Sequence, residues 1–324
     1  MKHILALVPG GIGDQLLFFP TLENLKQAYP DAEIDPIVEP RALGAYRVCP
    51  LSHEKSLETI RFDFTDRNGL ADWSNLLGII RDREYDAVLS YDRTFLAGFM
   101  LWLTGISNRV GYRGSAADLF YTHTVPLKTE QYKAQLYGDL LSGLGIPAAD
   151  SVPRIALLKE DLSWAEAEQK RLGIGESGYI LIHGNCSQLS KFQGVDKSYP
   201  PEKWLPIIAR LRQQQPELPI VVACGPDDIL FVNQLAEMTR EFRATTPGDI
   251  GKLAAMVAGA NLMLCTDSAP LQLAVAVETP TVALFGPTDP EKRLPKSDKV
   301  SIVQSPTGKM ADIDPEAVLK RLFG

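Results

Sequence analysis

The sequence predicts an α/β protein of two Rossmann-like domains with a cleft between them, because 324 residues exceed one ordinary hydrophobic core and a strand–helix alternation occurs twice. Short apolar runs, typical of buried parallel strands, alternate with longer segments of helical periodicity. Apolar residues make up 45% and charged residues 23% of the chain, as is usual for globular proteins. We therefore place one domain at residues 1–158 and the other at residues 159–324.

The first alternation begins at the start of the chain. The apolar run at residues 4–8 leads through a glycine-rich turn into a segment whose Leu22, Leu25 and Tyr29 have helical spacing. We expect Pro20 to separate a short first turn from the main helix, since proline is best tolerated at a first helical position. The other elements predicted in this half are strands at 34–38 and 87–90 and a helix at 95–103.

The pattern starts again after a charged helical stretch at residues 159–172, which with Pro147 and Pro153 marks the domain boundary. A last helix is predicted after Asp314, with Pro315 in its first turn. We expect it in the second domain, with packing against the first domain as the alternative. The other elements predicted in this half are strands at 179–182, 220–223, 262–265 and 281–285 and helices at 201–214, 250–258 and 270–277.

Charge and cysteine usage exclude several classes of protein. A net charge of -7 argues against nucleic-acid binding, which relies on concentrated Lys and Arg. The four cysteines are widely spaced, with no C-x-x-C pair, and so indicate neither a zinc site nor a disulfide framework.

The N-terminal apolar run is too short for a signal peptide, and no stretch approaches the length of a membrane span. We expect a cytoplasmic protein; peripheral contact with the inner face of the cell membrane, through a local basic patch, stays open.

Ligands of open α/β sheets bind beyond the carboxyl ends of the strands, and the first loop there is rich in glycine. Gly10, Gly11 and Gly13 allow close approach of the backbone to a ligand, and Asp14 follows them. Leu16 breaks the G-x-G-x-x-G pattern of dinucleotide-binding proteins. Asp14 is either a carboxylate of the site or only a cap of the following helix.

A second loop has the composition of a phosphate site. Thr266, Asp267, Ser268 and Ala269 lie between a predicted strand and a helix that Pro270 opens. Backbone N–H groups and the positive end of the helix dipole favour an anion there, and the hydroxyls can add donors. We expect the Asp267 carboxylate to accept backbone N–H bonds that shape the loop. An ordinary helix start is the alternative.

Two further loops follow predicted strands. Asn185 and Ser187 come after the strand at 179–182, and Lys197 follows at a distance where it could neutralise phosphate charge. A solvated surface lysine is the alternative. Gly286 lies in a double-proline turn, which either lines the cleft or is a rigid connector.

The histidines and Cys186 are expected to have structural roles. The four histidines, including His183, show no metal-ligand spacing, so we expect no metal site. Cys186 has no evident base partner and is not expected to act as a nucleophile.

Three segments together resemble a known family: GGIGDQLLFFPTLENLKQAYPDAEID, KSYPPEKW and TDSAPLQLAVAVETPTVALFGPTDP. In this order they are similar to glycosyltransferase family 9, the ADP-heptose:lipopolysaccharide heptosyltransferases, which has the GT-B fold. The resemblance covers nearly the whole chain. It implies an inverting, metal-independent transferase without a cofactor, which moves a sugar, with heptose the leading candidate, from a nucleotide-diphosphate donor, ADP-linked first, to a glycan or lipopolysaccharide-type acceptor.

The resemblance also implies roles for residues. Asp14 would be the general base, and Lys197 with the loop at 266–269 would hold the donor diphosphate. This chain has Ala269 and Gln272 where the family commonly has glycine and histidine, which narrows the backbone approach to phosphate and removes an imidazole. The further residues expected to line the cleft are Asn185, Ser187, Gln272 and Gly286.

Two other functions stay open. A nucleotide-sugar epimerase of the same architecture would use similar phosphate loops, but it needs more acid and base groups than four histidines offer. A non-catalytic sugar-nucleotide-binding protein is suggested by Ala269 and Gln272. The presence of Asp14 and Lys197 favours the transferase.

Overall fold

The computed structural model describes residues 1–8, 10–53, 56–64, 66, 69–147, 151–192 and 194–324. The chain divides into two compact units, Met1–Ala156 and Leu157–Gly324. Over these described ranges each unit contains a six-stranded parallel sheet with flanking helices. The predicted α/β class with two Rossmann-like domains is confirmed.

The sheet of the first unit has the strand order β3-β2-β1-β4-β5-β6, so the order reverses beside β1. Such a reversal opens a crevice at the carboxyl ends of the two central strands, here β1 and β4. The elements are β1 (His3–Leu7), α1 (Ile12–Ala28), β2 (Glu33–Val38), β3 (Ile60–Arg61), α2 (Leu70–Asp82), β4 (Ala87–Ser90), α3 (Phe95–Leu103), β5 (Asn108–Tyr112), β6 (His123–Val125) and α4 (Lys133–Asp139).

The second unit repeats this arrangement, with the order β12-β11-β10-β7-β8-β9 and a reversal between β10 and β7. Its elements are α5 (Lys159–Arg171), β7 (Ile180–His183), α6 (Gln188–Phe192), α7 (Pro201–Gln214), β8 (Ile220–Ala223), α8 (Ile229–Met238), β9 (Arg243–Thr245), α9 (Ile250–Ala258), β10 (Leu262–Thr266), α10 (Ala269–Ala276), β11 (Thr281–Phe285), α11 (Pro290–Arg293), β12 (Val300–Gln304) and α12 (Pro315–Phe323).

The central strands of the second unit, such as β7 and β8, are mostly apolar because both faces of the sheet are covered. Ile180 and Ile182 of β7 lie in one buried cluster, together with residues of α7, α8 and α12. Leu181, between them, lies in a second cluster with residues of α5, α9 and α10. Successive side chains of a strand point to opposite faces, so a continuous apolar run supplies two cores.

The first and last helices, α1 and α12, can be compared with the expectations from the sequence. The predicted break at Pro20 is wrong, because α1 runs unbroken through it. Phe18, Phe19 and Leu22 around the proline are fully buried, and this packing maintains the helix despite one missing N–H donor. The last helix, α12, packs against α7 and β12 of its own unit. Within the described ranges, none of the helices combines the length and the apolar character that crossing a bilayer requires.

The burial pattern of α8 generates a stability prediction. Leu235 is fully buried, and we expect Leu235→Ala to lower the free energy of unfolding by about 2–5 kcal/mol, since the truncated side chain leaves a cavity. Leu230 on the same helix is 72% exposed, so Leu230→Ala is expected to change it by less than about 0.5 kcal/mol. Urea unfolding followed by circular dichroism compares the two. Equal losses would contradict the inner and outer faces assigned to α8.

Candidate functional site

In the first unit, the glycine turn after β1 brings Asp14 back onto the loop. Asp14 lies in the first turn of α1, and its Oδ2 accepts a hydrogen bond from the Gly11 N–H at 3.2 Å. Gly10 has a φ of +133°, and a Cβ there would lie 2.5 Å from Asp14 Oδ2. Glycine is therefore required at position 10 both for its backbone conformation and for this contact. Oδ2 of Asp14 therefore has the capping role that the sequence analysis gave as one alternative, and Oδ1 has a different role.

The other carboxylate oxygen has a partner that the sequence analysis missed. Lys133, the first residue of α4, places Nζ 2.6 Å from Asp14 Oδ1. The same Nζ lies 5.7 Å from the ring centroid of Tyr91 and 5.5 Å from that of Tyr137, close enough for cation–π attraction. A cation this near stabilises the negative charge of a carboxylate and fixes its orientation. The two residues are 119 positions apart, so no local pattern indicates the pair.

In the second unit, Asp267 follows β10 and organises two cations. Its Oδ2 lies 3.2 Å from Lys197 Nζ, and its Oδ1 lies 3.2 Å from Arg293 Nε. Asp267 is 1% exposed, and burial by itself raises the pKa of its carboxyl, but Arg293 and Lys197 outweigh burial and hold the pKa below its usual range. The sequence led us to expect backbone N–H groups as the partners of Asp267, but the structure shows Lys197 and Arg293. A buried carboxylate needs such cations to compensate its charge.

Lys197 is brought together with the predicted loop, although it lies 70 residues from Asp267 in the chain. Its side chain is only 13% exposed, which contradicts the alternative of a solvated surface lysine. Arg293, at the end of α11, is the second cation of the cluster and had no signal in the sequence. Lys197, Arg293 and Asp267 together carry two positive charges and one negative charge.

Thr266 and Asn185 hold the loops of the second unit to each other. The Thr266 hydroxyl donates to the Asn185 backbone carbonyl at 2.6 Å. The Asn185 side chain donates to the Asp227 carbonyl and to the Asp228 carboxylate, at 2.8 and 3.0 Å. Ser268 is half-buried, with its hydroxyl near His183. Thr266 and Asn185 are thus both buried and engaged with the protein's own groups.

The remaining predicted residues lie around this cluster in different environments. Gln272 is fully buried and donates to the Arg293 carbonyl at 3.1 Å, so it supports the segment that carries the second cation. A Cβ at Gly286 would lie 2.7 Å from Met310 Sδ, which shows close packing behind that turn. Ser187 is exposed, and Ala269 is the half-buried first residue of α10. No group of three or more His, Cys, Asp or Glu that could hold a metal occurs in the part of the chain described by the structure.

Comparison with known proteins assigns the chain to a class. The family model "Glycosyltransferase family 9 (heptosyltransferase)" matches residues 74–322. Lipopolysaccharide heptosyltransferase 3 of Escherichia coli is 26% identical, over 86% of this chain and 81% of that protein. The photosynthetic NDH subunit of subcomplex B 1 of Arabidopsis thaliana, a chloroplast protein, is 27% identical, over 97% of this chain and 71% of that protein. The solved structure of E. coli heptosyltransferase WaaC with ADP-2-deoxy-2-fluoro heptose is 18% identical, with a TM-score of 0.73 over 99% of each chain.

The Asp267 cluster generates a pH prediction. We expect Asp267→Asn to lower the free energy of unfolding by about 3 kcal/mol at pH 7, because it leaves two cations beside a neutral amide. The folded-state pKa of Asp267 is lowered, so its contribution is complete above the unfolded value of about 4 and disappears as the pH falls through the folded value. Urea titrations should therefore show a constant wild-type-minus-variant difference from about pH 7 to pH 5, and a shrinking one below about pH 4.

A matched control for this titration is Asp289→Asn. Asp289 is 47% exposed on its side chain and caps α11, a role that asparagine fills equally well. We expect this variant to change the free energy of unfolding by less than about 0.5 kcal/mol. A difference for Asp267→Asn that already shrinks between pH 7 and pH 5 would contradict the lowered pKa.

Proposed function

Because the chain belongs to glycosyltransferase family 9, we propose that it is an inverting, metal-independent transferase that moves a sugar from an ADP-linked donor to a glycan or lipopolysaccharide-type acceptor. Heptose is the leading candidate for the sugar. The observation that carries the proposal is the pair of cations, Lys197 and Arg293, that Asp267 holds where the strand order of the second unit reverses.

On the donor side, the position and the fixation of the two cations favour a diphosphate. The cations lie beside the loop that opens α10, whose first turn supplies the positive end of a helix dipole. Asp267 fixes both cations in advance, so little reorganisation is needed when the leaving group gains charge. The ADP part of the proposal is supported by the ADP-linked heptose analogue named with the solved E. coli structure.

On the acceptor side, Asp14 is the proposed general base. The acceptor oxygen forms a bond to the anomeric carbon as the bond between that carbon and the donor phosphate oxygen breaks, and the hydroxyl proton passes to Asp14. After it has taken the proton, the carboxyl group of Asp14 still has lone pairs that can accept hydrogen bonds from Lys133 and the Gly11 N–H. Lys133 keeps the base oriented during the step.

A cavity of the first unit supports the acceptor assignment. It has a volume of about 470 Å³ and is lined by the apolar Phe62, Leu76 and Ile79, by Pro40, and by the polar or charged Arg61, Asp63, Asp72 and Asn75. Pro40 and Asp63 follow β2 and β3, so the cavity opens at the carboxyl edge of the sheet, the edge that also carries the glycine turn. Polar and charged groups of this kind suit a sugar with many hydroxyls.

We propose a cytoplasmic location, where the protein would meet its glycolipid acceptor at the inner face of the membrane.

A non-catalytic role is the second candidate function. Ala269 and Gln272 depart from the family pattern, and the relative in Arabidopsis thaliana is named as a subunit of a larger complex. Release of free ADP from ADP-heptose only when a lipopolysaccharide core acceptor is added separates a transferase from a binding protein and from an epimerase.

The first functional prediction concerns Asp14→Asn. We expect transfer from ADP-heptose in single turnovers to fall by about 10²- to 10⁴-fold, because an amide cannot take the acceptor's proton. Asparagine caps a helix as well as aspartate does but leaves Lys133 without its carboxylate, so we expect a modest fall in melting temperature and little change in the affinity for ADP. The exposed Asp31 gives the control variant Asp31→Asn, which should transfer normally. Near-normal transfer by Asp14→Asn would eliminate it as the base.

The second functional prediction concerns Lys197→Ala. We expect the affinity for ADP to weaken by about 1–3 kcal/mol, since the variant loses a charge-assisted contact to the diphosphate. Arg293 still compensates Asp267, so the chain should remain folded. Lys296 is exposed in the same unit, and Lys296→Ala serves as the control. Calorimetric titration decides, and unchanged ADP affinity in Lys197→Ala would remove this lysine from the donor site.

A further inference from the structure

A buried chain of three side chains lies at the edge of the second sheet. His183 ends β7 and is 6% exposed. Its Nε2 lies 3.3 Å from Asp228 Oδ2, and its Nδ1 lies 3.3 Å from Ser268 Oγ. Asp228 belongs to the turn after β8, and Ser268 to the loop between β10 and α10. Three chain segments thus meet at one imidazole, beside the reversal of strand order.

The environment of Asp228 determines which imidazole nitrogen carries hydrogen. Burial raises the pKa of the Asp228 carboxyl, but the contact with His183 and the bonds from the Gly225 N–H and the Asn185 amide outweigh it, and the pKa is lowered. A carboxylate only accepts hydrogen bonds, so His183 Nε2 must donate. The atom at which the imidazole gains or loses a proton is therefore Nδ1, which faces Ser268.

Ser268 has one hydroxyl proton and two neighbouring acceptors. Its Oγ lies 3.1 Å from the Thr266 carbonyl oxygen and 3.3 Å from His183 Nδ1. It is the N-cap residue of α10, yet its side chain makes no capping hydrogen bond and points to His183 instead. With Nδ1 unprotonated, the hydroxyl can satisfy only one of the two acceptors. With Nδ1 protonated, the imidazolium donates to Oγ and the hydroxyl proton is available to a third group.

A phosphate oxygen at the start of α10 would be that third group. Phosphate oxygens only accept, so a donor diphosphate draws the Ser268 hydroxyl proton towards itself. Nδ1 would then face an oxygen lone pair unless it took a proton from solvent. Binding of the anion and protonation of His183 therefore favour each other, by the reciprocity that holds for any two linked binding events.

The other charges around His183 do not cancel this coupling. Asp227 lies in the same turn as Asp228, and its carboxylate accepts from the Gln188 N–H. Asp267, next to Ser268, is compensated by Lys197 and Arg293. Burial and Asp228 raise the pKa of the Cys224 thiol, which favours its neutral form. Asp228 is the charged group in direct contact with the imidazole among the described residues.

We propose that His183 and Asp228 are a positioning pair for the donor diphosphate: Asp228 orients the imidazole, His183 takes up a proton at Nδ1 when the diphosphate binds, and the imidazolium presents the Ser268 hydroxyl to the phosphate. This inference rests on the proposed donor site. It adds a proton to the binding step and a positive charge next to the leaving group.

The test is calorimetric titration of ADP into the full-length protein at pH 7, in two buffers of different ionisation enthalpy. The wild type should take up more protons per bound ADP than His183→Asn, whose amide keeps a hydrogen-bonding group near Ser268 but does not titrate. Between about pH 6 and pH 8.5, the affinity of the wild type for ADP should fall by about 3- to 10-fold more than that of the variant. ADP titrates in the same way in both experiments, so the difference isolates the protein.

Ser268→Ala supplies the second variant, since it keeps His183 but removes the hydroxyl through which the proton is linked. Reduced proton uptake in both variants, each still folded at the temperature of the titration, is the expected result. Equal uptake in the wild type and His183→Asn, or full uptake in Ser268→Ala, would overturn the positioning pair while leaving the donor site intact. Absence of ADP binding to the wild type would instead overturn the proposed donor site, and this inference with it.

Discussion

All twelve described strands pair in parallel, and this constraint determines where chemistry can occur in both units. Parallel strands place their carboxyl ends at one edge of the sheet, so residues from distant parts of the chain meet there. In the first unit this edge carries Asp14, and in the second it carries His183 and the loop at 266–269. Each group lies at the end of a strand, or after it, next to the point where the strand order reverses. The remaining contacts of the two sites depend on this arrangement.

Charge compensation decides what the edge of the second sheet can bind. A carboxylate as buried as Asp267 needs partners, and it obtains two where one would neutralise it. The electrostatic potential of the two cations is positive, and so is that of the N-terminal end of α10. Asp228 is also buried, and its partners are the His183 imidazole, the Gly225 N–H and the Asn185 amide. The acidic overall charge of the chain therefore coexists with a local cluster of two cations around one carboxylate.

Capping and catalysis are compatible roles for Asp14 because its two oxygens have different partners. Oδ2 accepts from the Gly11 N–H, as a capping carboxylate does, while Oδ1 pairs with Lys133. The cap holds the carboxylate against the glycine turn, and the lysine holds it from the side of α4. A carboxylate held in this way needs little reorganisation to receive a proton. The proposed function thus uses the rigidity that the cap provides.

The sequence by itself determined the fold class and most of the elements, because apolar periodicity is local and reports burial directly, as in the helix at 201–214 and the strand at 220–223. It also indicated the glycine turn and the small polar loop before Pro270. The continuation of α1 through Pro20 was decided by core packing, which overrides a local preference. Only the tertiary structure paired Lys133 with Asp14, Arg293 with Asp267, and His183 with Asp228 and Ser268. These partners are 26 to 119 residues apart, and hydrogen bonds and ion pairs act over a few ångströms, so they exist only after the parallel sheets have brought the strand ends together.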